Sequence, residues 1–198
     1  MDRISYGKDD VIRLYWIAES DKENYGKLIS ESDNLSNPYY TIEKMTDILW
    51  DSIIHGNDYT FAIFDNKNDF CGKISLHNPE NNYPEIGIEL LQEYRNRGIA
   101  KRAVQLLITE AQKKANKQYY LVRISIDNKH SRHVFEKMGA VLDNTEDSTY
   151  KNAITSLRAI LKVTDEGETK RHLEEMLSEY EKKDKIIYEY KLFPETFE

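Results

Sequence analysis

The sequence contains a single cysteine, Cys71, so no disulfide can form within the chain. It also lacks an apolar run close to the roughly 20 residues that cross a bilayer. The first residues, Met1–Ile4, do not form the apolar segment of a secretory signal. We therefore expect a cytoplasmic protein that does not span a membrane.

Positive charge is also scarce. The 28 Lys and Arg residues are outnumbered by 35 Asp and Glu, which gives a formal net charge of −7. Broad binding to a phosphate backbone depends on a surplus of Lys and Arg, so nucleic acid is not an expected partner. An acidic surface instead favours encounters with cationic molecules, such as amines and basic peptide ends.

Glycine and proline are infrequent, with 8 and 4 residues among 198, and 39% of the chain is hydrophobic. This composition is typical of a globular protein, and the length suits a single domain over residues 1–198. Strands and helices alternate through the middle of the chain, which indicates an α/β fold. The patterns predict strands over 11–16, 59–64, 72–76, 85–91, 119–126 and 186–192, and helices over 20–32, 41–54, 131–138 and after Gly98.

The segment 144–185 has a different pattern. Two apolar stripes at helical spacing predict a pair of helices inserted before the last strand. Such stripes suit either packing against the core or a homodimer contact. We also hypothesise that this pair narrows the entrance of a substrate cleft.

A candidate anion site follows the strand 85–91. The loop Arg95-Asn96-Arg97-Gly98 leads directly into a helix, and unpaired amides at a helix N-terminus attract anions. Gly98 and Ala100 leave room for a phosphate near the backbone, while Arg95, Arg97 and Lys101 offset its charge. The loop has neither the Gly-Lys-Ser/Thr ending of a P-loop nor a three-glycine dinucleotide pattern. Taken alone, it is also compatible with a solvated turn.

Two linked motifs carry a family resemblance. The segment 85–100, Glu-Ile-Gly-Ile-Glu-Leu-Leu-Gln-Glu-Tyr-Arg-Asn-Arg-Gly-Ile-Ala, resembles the fourth strand and pyrophosphate loop of the GNAT acyltransferase superfamily. Asn128-Lys-His-Ser131, followed by Val-Phe-Glu-Lys-Met-Gly139-Ala140, resembles the next motif of that superfamily. The Glu-Ile-Gly motif and the segment 75–78 look most like the branch that acetylates the N-termini of ribosomal proteins.

The resemblance implies a fold, a cofactor and a set of binding residues. The fold is a central mixed sheet of six to seven strands flanked by helices, with the fourth and fifth strands splayed apart. The cofactor is acetyl-CoA, and an amide near Leu91 would face the thioester carbonyl. By resemblance, the cofactor-binding residues are Leu90, Leu91, Arg95, Asn96, Arg97, Gly98, Ile99, Ala100, Lys101, Asn128 and Ser131.

The implied activity is transfer of an acetyl group to a primary amine, on a small cationic molecule or a peptide N-terminus. An amine must lose a proton to attack, and Glu85 is our candidate base; the alternative is an exposed strand-end carboxylate. Glu89 is the second candidate, and a bulge, usual in this superfamily, would turn one of the two away from the cleft. The tyrosine that often protonates the departing thiolate is replaced by Phe135.

Two other functions remain open at this stage: a non-catalytic acyl-CoA-binding module and a helical interaction protein. No metal site is expected, because His130 and His133 have no accompanying Cys or carboxylate set and are best explained as surface residues. Cys71 is expected to be a small strand residue without a positioned base.

Overall fold

Eight strands form one sheet in the computed structural model, which describes residues 3–31, 42–146, 151–163, 165–183 and 186–197. The spatial order of these strands is β1-β2-β3-β4-β5-β6-β8-β7, and only the β5–β6 pair among them is parallel. The strands are β1 (Ser5–Lys8), β2 (Ile12–Trp16), β3 (Tyr59–Asp65), β4 (Phe70–His77), β5 (Glu85–Leu90), β6 (Tyr120–Ser125), β7 (Val141–Glu146) and β8 (Ile187–Leu192).

Six helices in these ranges accompany the sheet: α1 (Lys22–Ser30), α2 (Ile42–His55), α3 (Ile99–Gln112), α4 (Lys129–Lys137), α5 (Lys151–Leu161) and α6 (Glu168–Lys183). The local chemistry explains their ends. Asn128 caps α4 by accepting a hydrogen bond from the Ser131 amide at 3.0 Å, and Gly139, with φ of 89°, follows its last turn. Within the described ranges, we find no helix with the length and apolarity to cross a membrane.

The sheet carries hydrophobic clusters on two sides. One side buries the stripe of α3, whose core residues Ala103, Val104 and Leu107 have no exposed surface, together with Phe135 of α4. The other side is covered by α1 and α2, and a cluster there includes Tyr25 and Trp50. Burial of these apolar stripes fixes the helices against the sheet.

The predicted mixed fold with flanking helices is confirmed, but the sheet has eight strands rather than six or seven. The two additional strands, β1 and β7, lack an alternating apolar pattern. Both are edge strands, where one side of the backbone is unpaired and sequence constraints are weaker. Residues 144–146 belong to β7, so the inserted helices α5 and α6 begin after Glu146 and not at Asn144.

β5 and β6 part soon after they meet. Their only register pair is Glu85 with Leu121, and the Leu121 amide donates to the Pro84 carbonyl at 2.9 Å. No further pairing between these strands is found in the described residues. A gap therefore opens between β5 and β6 toward the C-terminal end of β5, as the predicted splay requires.

Candidate acyl-CoA and acceptor site

The backbone of β5 offers amides to this gap. The Leu91 amide donates to the Cys71 carbonyl at 3.0 Å, so it faces β4 and is not free. Amides alternate sides along a strand, and those of Ile88 and Leu90 therefore point toward the gap. Leu91 thus turns its own amide to β4, and the amide near it that faces the gap, where the thioester is expected, is that of Leu90.

The loop after β5 is shaped by two residues in the left-handed region, Asn96 with φ of 60° and Gly98 with φ of 76°. The Gly98 carbonyl accepts from the Arg102 amide at 3.3 Å and opens α3. Among the described residues, the amides of residues 96–101 have no hydrogen-bond partner. A Cβ added to Gly98 would meet no described atom within 4 Å. The helix therefore begins at an open concavity lined by backbone donors.

Three exposed cationic residues surround this concavity. The Arg95 Nε donates to the Leu90 carbonyl at 2.9 Å, which holds its guanidinium at the mouth of the gap. The Arg97 guanidinium lies over the Tyr94 ring, 5.4 Å from its centroid, and Lys101 is exposed on the first turn of α3. Arg102, by contrast, pairs with Asp9 at 3.1 Å and Asp10 at 2.8 Å. Three cations thus remain for an anion.

Polar groups on the β6 side complete the cofactor site. The Asn128 Oδ1 is used in capping α4, which leaves its Nδ2 as the available donor. The Ser125 hydroxyl at the end of β6 is buried and has no hydrogen-bond partner in the described part of the chain. A buried hydroxyl without a partner is costly unless a ligand satisfies it. The open concavity at Gly98 fits a pyrophosphate, and the Ser125 hydroxyl fits a polar group of the pantetheine arm.

A row of polar residues crosses the sheet on the face that carries α1 and α2. Asp58, just before β3, binds His77 at the end of β4, with Oδ2 and Nδ1 2.6 Å apart. His77 and Glu85 are register partners. Arg123 of β6 lies 3.4 Å from the Glu85 carboxylate and 3.1 Å from that of Glu189 on β8. We call Asp58, His77, Glu85, Arg123 and Glu189 the polar row.

Glu89 lies on the same face as Glu85. The register of β4 with β5 is regular from Glu85 to Leu90, so the expected bulge is absent from this pairing and neither carboxylate is turned away. Glu89 pairs at 2.9 Å with Lys73, whose side chain is only 10% exposed. Because Glu89 stabilises a nearly buried ammonium, its removal is expected to cost stability before it affects chemistry.

Residues 6–141 match the family described as the acetyltransferase (GNAT) domain. The chain belongs to the GNAT acetyltransferase family. Enzymes of this family use acetyl-CoA, which is therefore the cofactor of this GNAT protein. A search of curated proteins found no match.

Solved structures share the fold of this GNAT protein at low sequence identity. A presumed acetyltransferase is 17% identical with a TM-score of 0.67, and the alignment covers 96% of this chain and 87% of that one. A spermidine N-acetyltransferase from Vibrio cholerae, solved with CoA and spermine, is 14% identical with a TM-score of 0.66, covering 96% and 99%. A mutant form of the spermidine enzyme is 12% identical with a TM-score of 0.65, and the alignment covers 96% of this chain and 97% of that one.

Several residues of this GNAT site are not evident from the sequence. Ile88 and Ser125 contribute through their position beside the gap, which depends on where two strands diverge. Arg123 has the pattern of an ordinary polar strand residue. Asp58 and His77 are 19 positions apart, so only the pairing of β3 with β4 brings them together. The segment 75–78 is a local hint, because its family resemblance marks His77 without indicating a partner.

Other reactive groups in the GNAT protein are placed away from chemistry. Burial raises the pKa of the Cys71 thiol to about 12, so Cys71 remains a protonated core residue. Phe135 is 4% exposed and packs in the core beside α3. His130 and His133 are exposed on α4. Among the described residues, no group of His, Cys, Asp and Glu side chains is arranged to hold a metal ion.

Proposed function

We propose that this protein transfers the acetyl group of acetyl-CoA to a primary amine by direct attack, without a covalent enzyme intermediate. The observation that carries the proposal is the position of Glu85. Its carboxylate lies at the residue where β5 and β6 part, so an anionic group stands at the inner end of the cofactor gap. A cationic amine bound there is next to the strand whose amides face the gap.

The net charge of the polar row, together with Glu89 and Lys73 on the same face of the sheet, favours a cationic acceptor. Asp58, Glu85, Glu89 and Glu189 supply four carboxylates, while Lys73 and Arg123 supply two permanent cations. The excess of negative charge attracts ammonium groups and raises their local concentration. The Vibrio cholerae structure with CoA and spermine supports a small polyamine as one acceptor, and a peptide N-terminus is the other.

The chain's own residues divide the work of binding. Residues 95–101 would hold the pyrophosphate through backbone amides and the three cations, and Asn128, Ser131 and Ser125 would contact the cofactor arm. Acetyl-CoA supplies an acetyl group activated as a thioester. The amides of Ile88 and Leu90 are the donors placed to polarise a carbonyl in the gap.

Glu85 is best suited to hold the acceptor's ammonium. Its carboxylate lies 3.4 Å from Arg123 and carries the negative charge that attracts a cationic amine. The prediction that Glu85 itself takes the proton stays a prediction, to be tested with Glu85→Gln. That isosteric change keeps hydrogen bonding and removes the charge.

The test is amine-dependent release of the CoA thiol, measured with spermidine, an aminoglycoside and a short peptide. We expect turnover with at least one cationic amine and a KM at least about tenfold higher in Glu85→Gln, since charged hydrogen bonds contribute about 1.5–3 kcal/mol. Glu23→Gln, on an exposed site of α1, is the matched control and should match the wild type.

A non-catalytic acyl-CoA-binding module is the second candidate, favoured by Phe135 in place of a tyrosine acid. Both functions predict that CoA raises the melting temperature, because a ligand that binds only the folded state stabilises it. They differ in turnover. Tight CoA binding with no thiol release for any of the three amines would establish the module instead of the enzyme.

A further inference from the structure

The pair formed by His77 and Asp58 has the geometry of an oriented imidazole. Asp58 Oδ2 lies 2.6 Å from His77 Nδ1, and Asp58 Oδ1 accepts from the Asn78 amide at 3.0 Å. Burial raises the pKa of Asp58, but the hydrogen bonds from His77 and Asn78 and the charge of Lys73 outweigh it and hold that pKa below its usual value. Asp58 is therefore a carboxylate, and it fixes the ring proton on Nδ1.

The second ring nitrogen is left facing β5. A Cβ built on Gly87 would lie 2.9 Å from His77 Nε2, so the imidazole covers Gly87 at the middle of β5. Glycine at this position provides the space that the ring occupies. Among the described residues, Nε2 has no hydrogen-bond partner, and the side chain of His77 is 37% exposed. The Nε2 lone pair is thus accessible on the face of the sheet that carries the polar row.

Glu85 and His77 are register partners with different surroundings. Glu85 is already paired with Arg123 at 3.4 Å, whereas no described residue bonds to His77 Nε2. An imidazole has an ordinary pKa of about 6.5, close to the pH at which a general base is most effective. Among the described residues, Asp58 contacts the His77 ring and Glu85 is the register partner of His77 on β5.

We propose that His77 Nε2 is the general base that takes the proton from the acceptor ammonium, with Asp58 as its positioning residue. The inference rests on the proposed acetyl transfer and assigns to Glu85 the binding of the amine. One N–H bond of the ammonium breaks and Nε2–H forms. The nitrogen lone pair then forms the C–N bond as the C–S bond breaks with its electron pair on sulfur. The second proton lost by nitrogen goes to sulfur, and His77 releases its own to solvent.

The test compares His77→Gln, Asp58→Asn and Glu85→Gln with the wild type, using spermidine and acetyl-CoA as probes across pH 5.5–9. We expect His77→Gln to lower kcat about 10²- to 10³-fold and to remove the acidic limb of the pH profile. The Kd for CoA should change less than about threefold. Asp58→Asn should lower kcat with little change in KM or in the Kd for CoA, because Asp58 no longer holds the ring proton on Nδ1. Glu85→Gln should act mainly on KM.

His55 provides the matched control. It forms a second His–Asp pair, with Nδ1 3.1 Å from Asp51 Oδ1, on the exposed side of α2. His55→Gln should leave kcat and its pH profile unchanged. If wild-type protein releases no CoA thiol with any amine, the proposed function fails and the base with it. If the wild type turns over while folded His77→Gln keeps at least half of kcat and the same acidic limb, only the role of His77 is refuted. Thermal melting establishes that each variant is folded.

Discussion

Two helices of this protein each begin after a glycine and differ in what surrounds that glycine. α3 follows Gly98, whose carbonyl accepts from the Arg102 amide at 3.3 Å, and α6 follows Gly167, whose carbonyl accepts from the Arg171 amide at 3.2 Å. Both glycines have positive φ, 76° and 159°, and a Cβ at either would meet no described atom within 4 Å. The backbone differs, with Gly98 in the left-handed region and Gly167 close to extended, but no described atom blocks the space beside either glycine.

Charge distinguishes them. The start of α6 carries Asp165, Glu166 and Glu168, and Lys170 pairs with Glu166. The first turn of α3 contains no acidic residue and is preceded by Arg95 and Arg97. Acidic side chains compensate the positive end of a helix dipole, so α6 satisfies its own N-terminus. The N-terminus of α3 is left for an external anion, and it lies at the end of β5 beside the gap.

The largest effect is expected when the same side chain replaces both glycines. In Gly98→Val the new methyl groups fill the concavity and keep a phosphate away from the amides. With two charged hydrogen bonds lost, at about 1.5–3 kcal/mol each, we expect the Kd for CoA to rise about 100-fold or more. Gly167→Val should leave it unchanged. Isothermal titration measures both, and melting curves measure the cost of a β-branched residue at positive φ.

An equal loss of CoA affinity in both variants would mean that the two helix starts do not differ in function. Gly98→Ala separates the contributions further, because its single methyl group strains the backbone in the same region while filling less of the concavity. A smaller loss of CoA affinity in Gly98→Ala than in Gly98→Val would tie the effect to space and not to strain.

Charge reversal is the second test. Arg97→Glu places a carboxylate beside the anion site, and we expect the Kd for CoA to rise about tenfold at low ionic strength and less at high salt. Lys170→Glu makes the same change at the start of α6 and should not alter CoA binding. Titrations at two salt concentrations check both variants. An Arg97→Glu effect that does not depend on salt would indicate a structural change instead of lost charge attraction.

Local and long-range features of the fold differ in how well the sequence predicts them. The loop at residues 95–98 and the stripe of α3 are local features, so the residue pattern alone predicts a candidate anion site at the start of α3. The register of β4 with β5 is not local. It decides that Leu91 turns its amide to Cys71, that Glu85 and Glu89 share a face, and that His77 reaches Gly87. Pairings between distant segments determine the parts of the candidate site that sequence patterns leave open or miss.

The third prediction concerns the anchoring of α3. Arg102 in its first turn pairs with Asp9 in the turn between β1 and β2. Burial raises the pKa of Asp9, but hydrogen bonds from the Ile12 and Val11 amides and the Arg102 charge lower it below its usual value. A lowered pKa stabilises the fold above the unfolded value of about 3.9, and the stability is lost as pH falls through the folded value.

We therefore expect Asp9→Asn to lower the free energy of unfolding by about 1 kcal/mol at pH 7, with a smaller difference below about pH 3.9. Asp165→Asn, near the start of α6, should change it by less than about 0.5 kcal/mol, as is usual for exposed sites. Urea unfolding at the two pH values provides the measurement. An Asp9→Asn effect that stays constant down to low pH would contradict the linkage.

The smallest expected effect on the cofactor comes from removing α5 and α6 altogether. Glu146 of β7 and Ile187 of β8 are register partners, so the two ends of the inserted segment lie opposite each other and a two-residue Asn-Gly turn can replace residues 147–186. We expect the sheet to persist and the Kd for CoA to stay within about twofold, because the proposed anion site lies on β5 and α3.

Acceptor preference should change when α5 and α6 are removed, as the hypothesis that this pair narrows the cleft requires. Ranking spermidine, an aminoglycoside and a peptide by kcat/KM before and after deletion measures it. An unchanged ranking would mean that α5 and α6 serve only in packing. Loss of CoA binding would show that CoA binding at the start of α3 depends on α5 and α6.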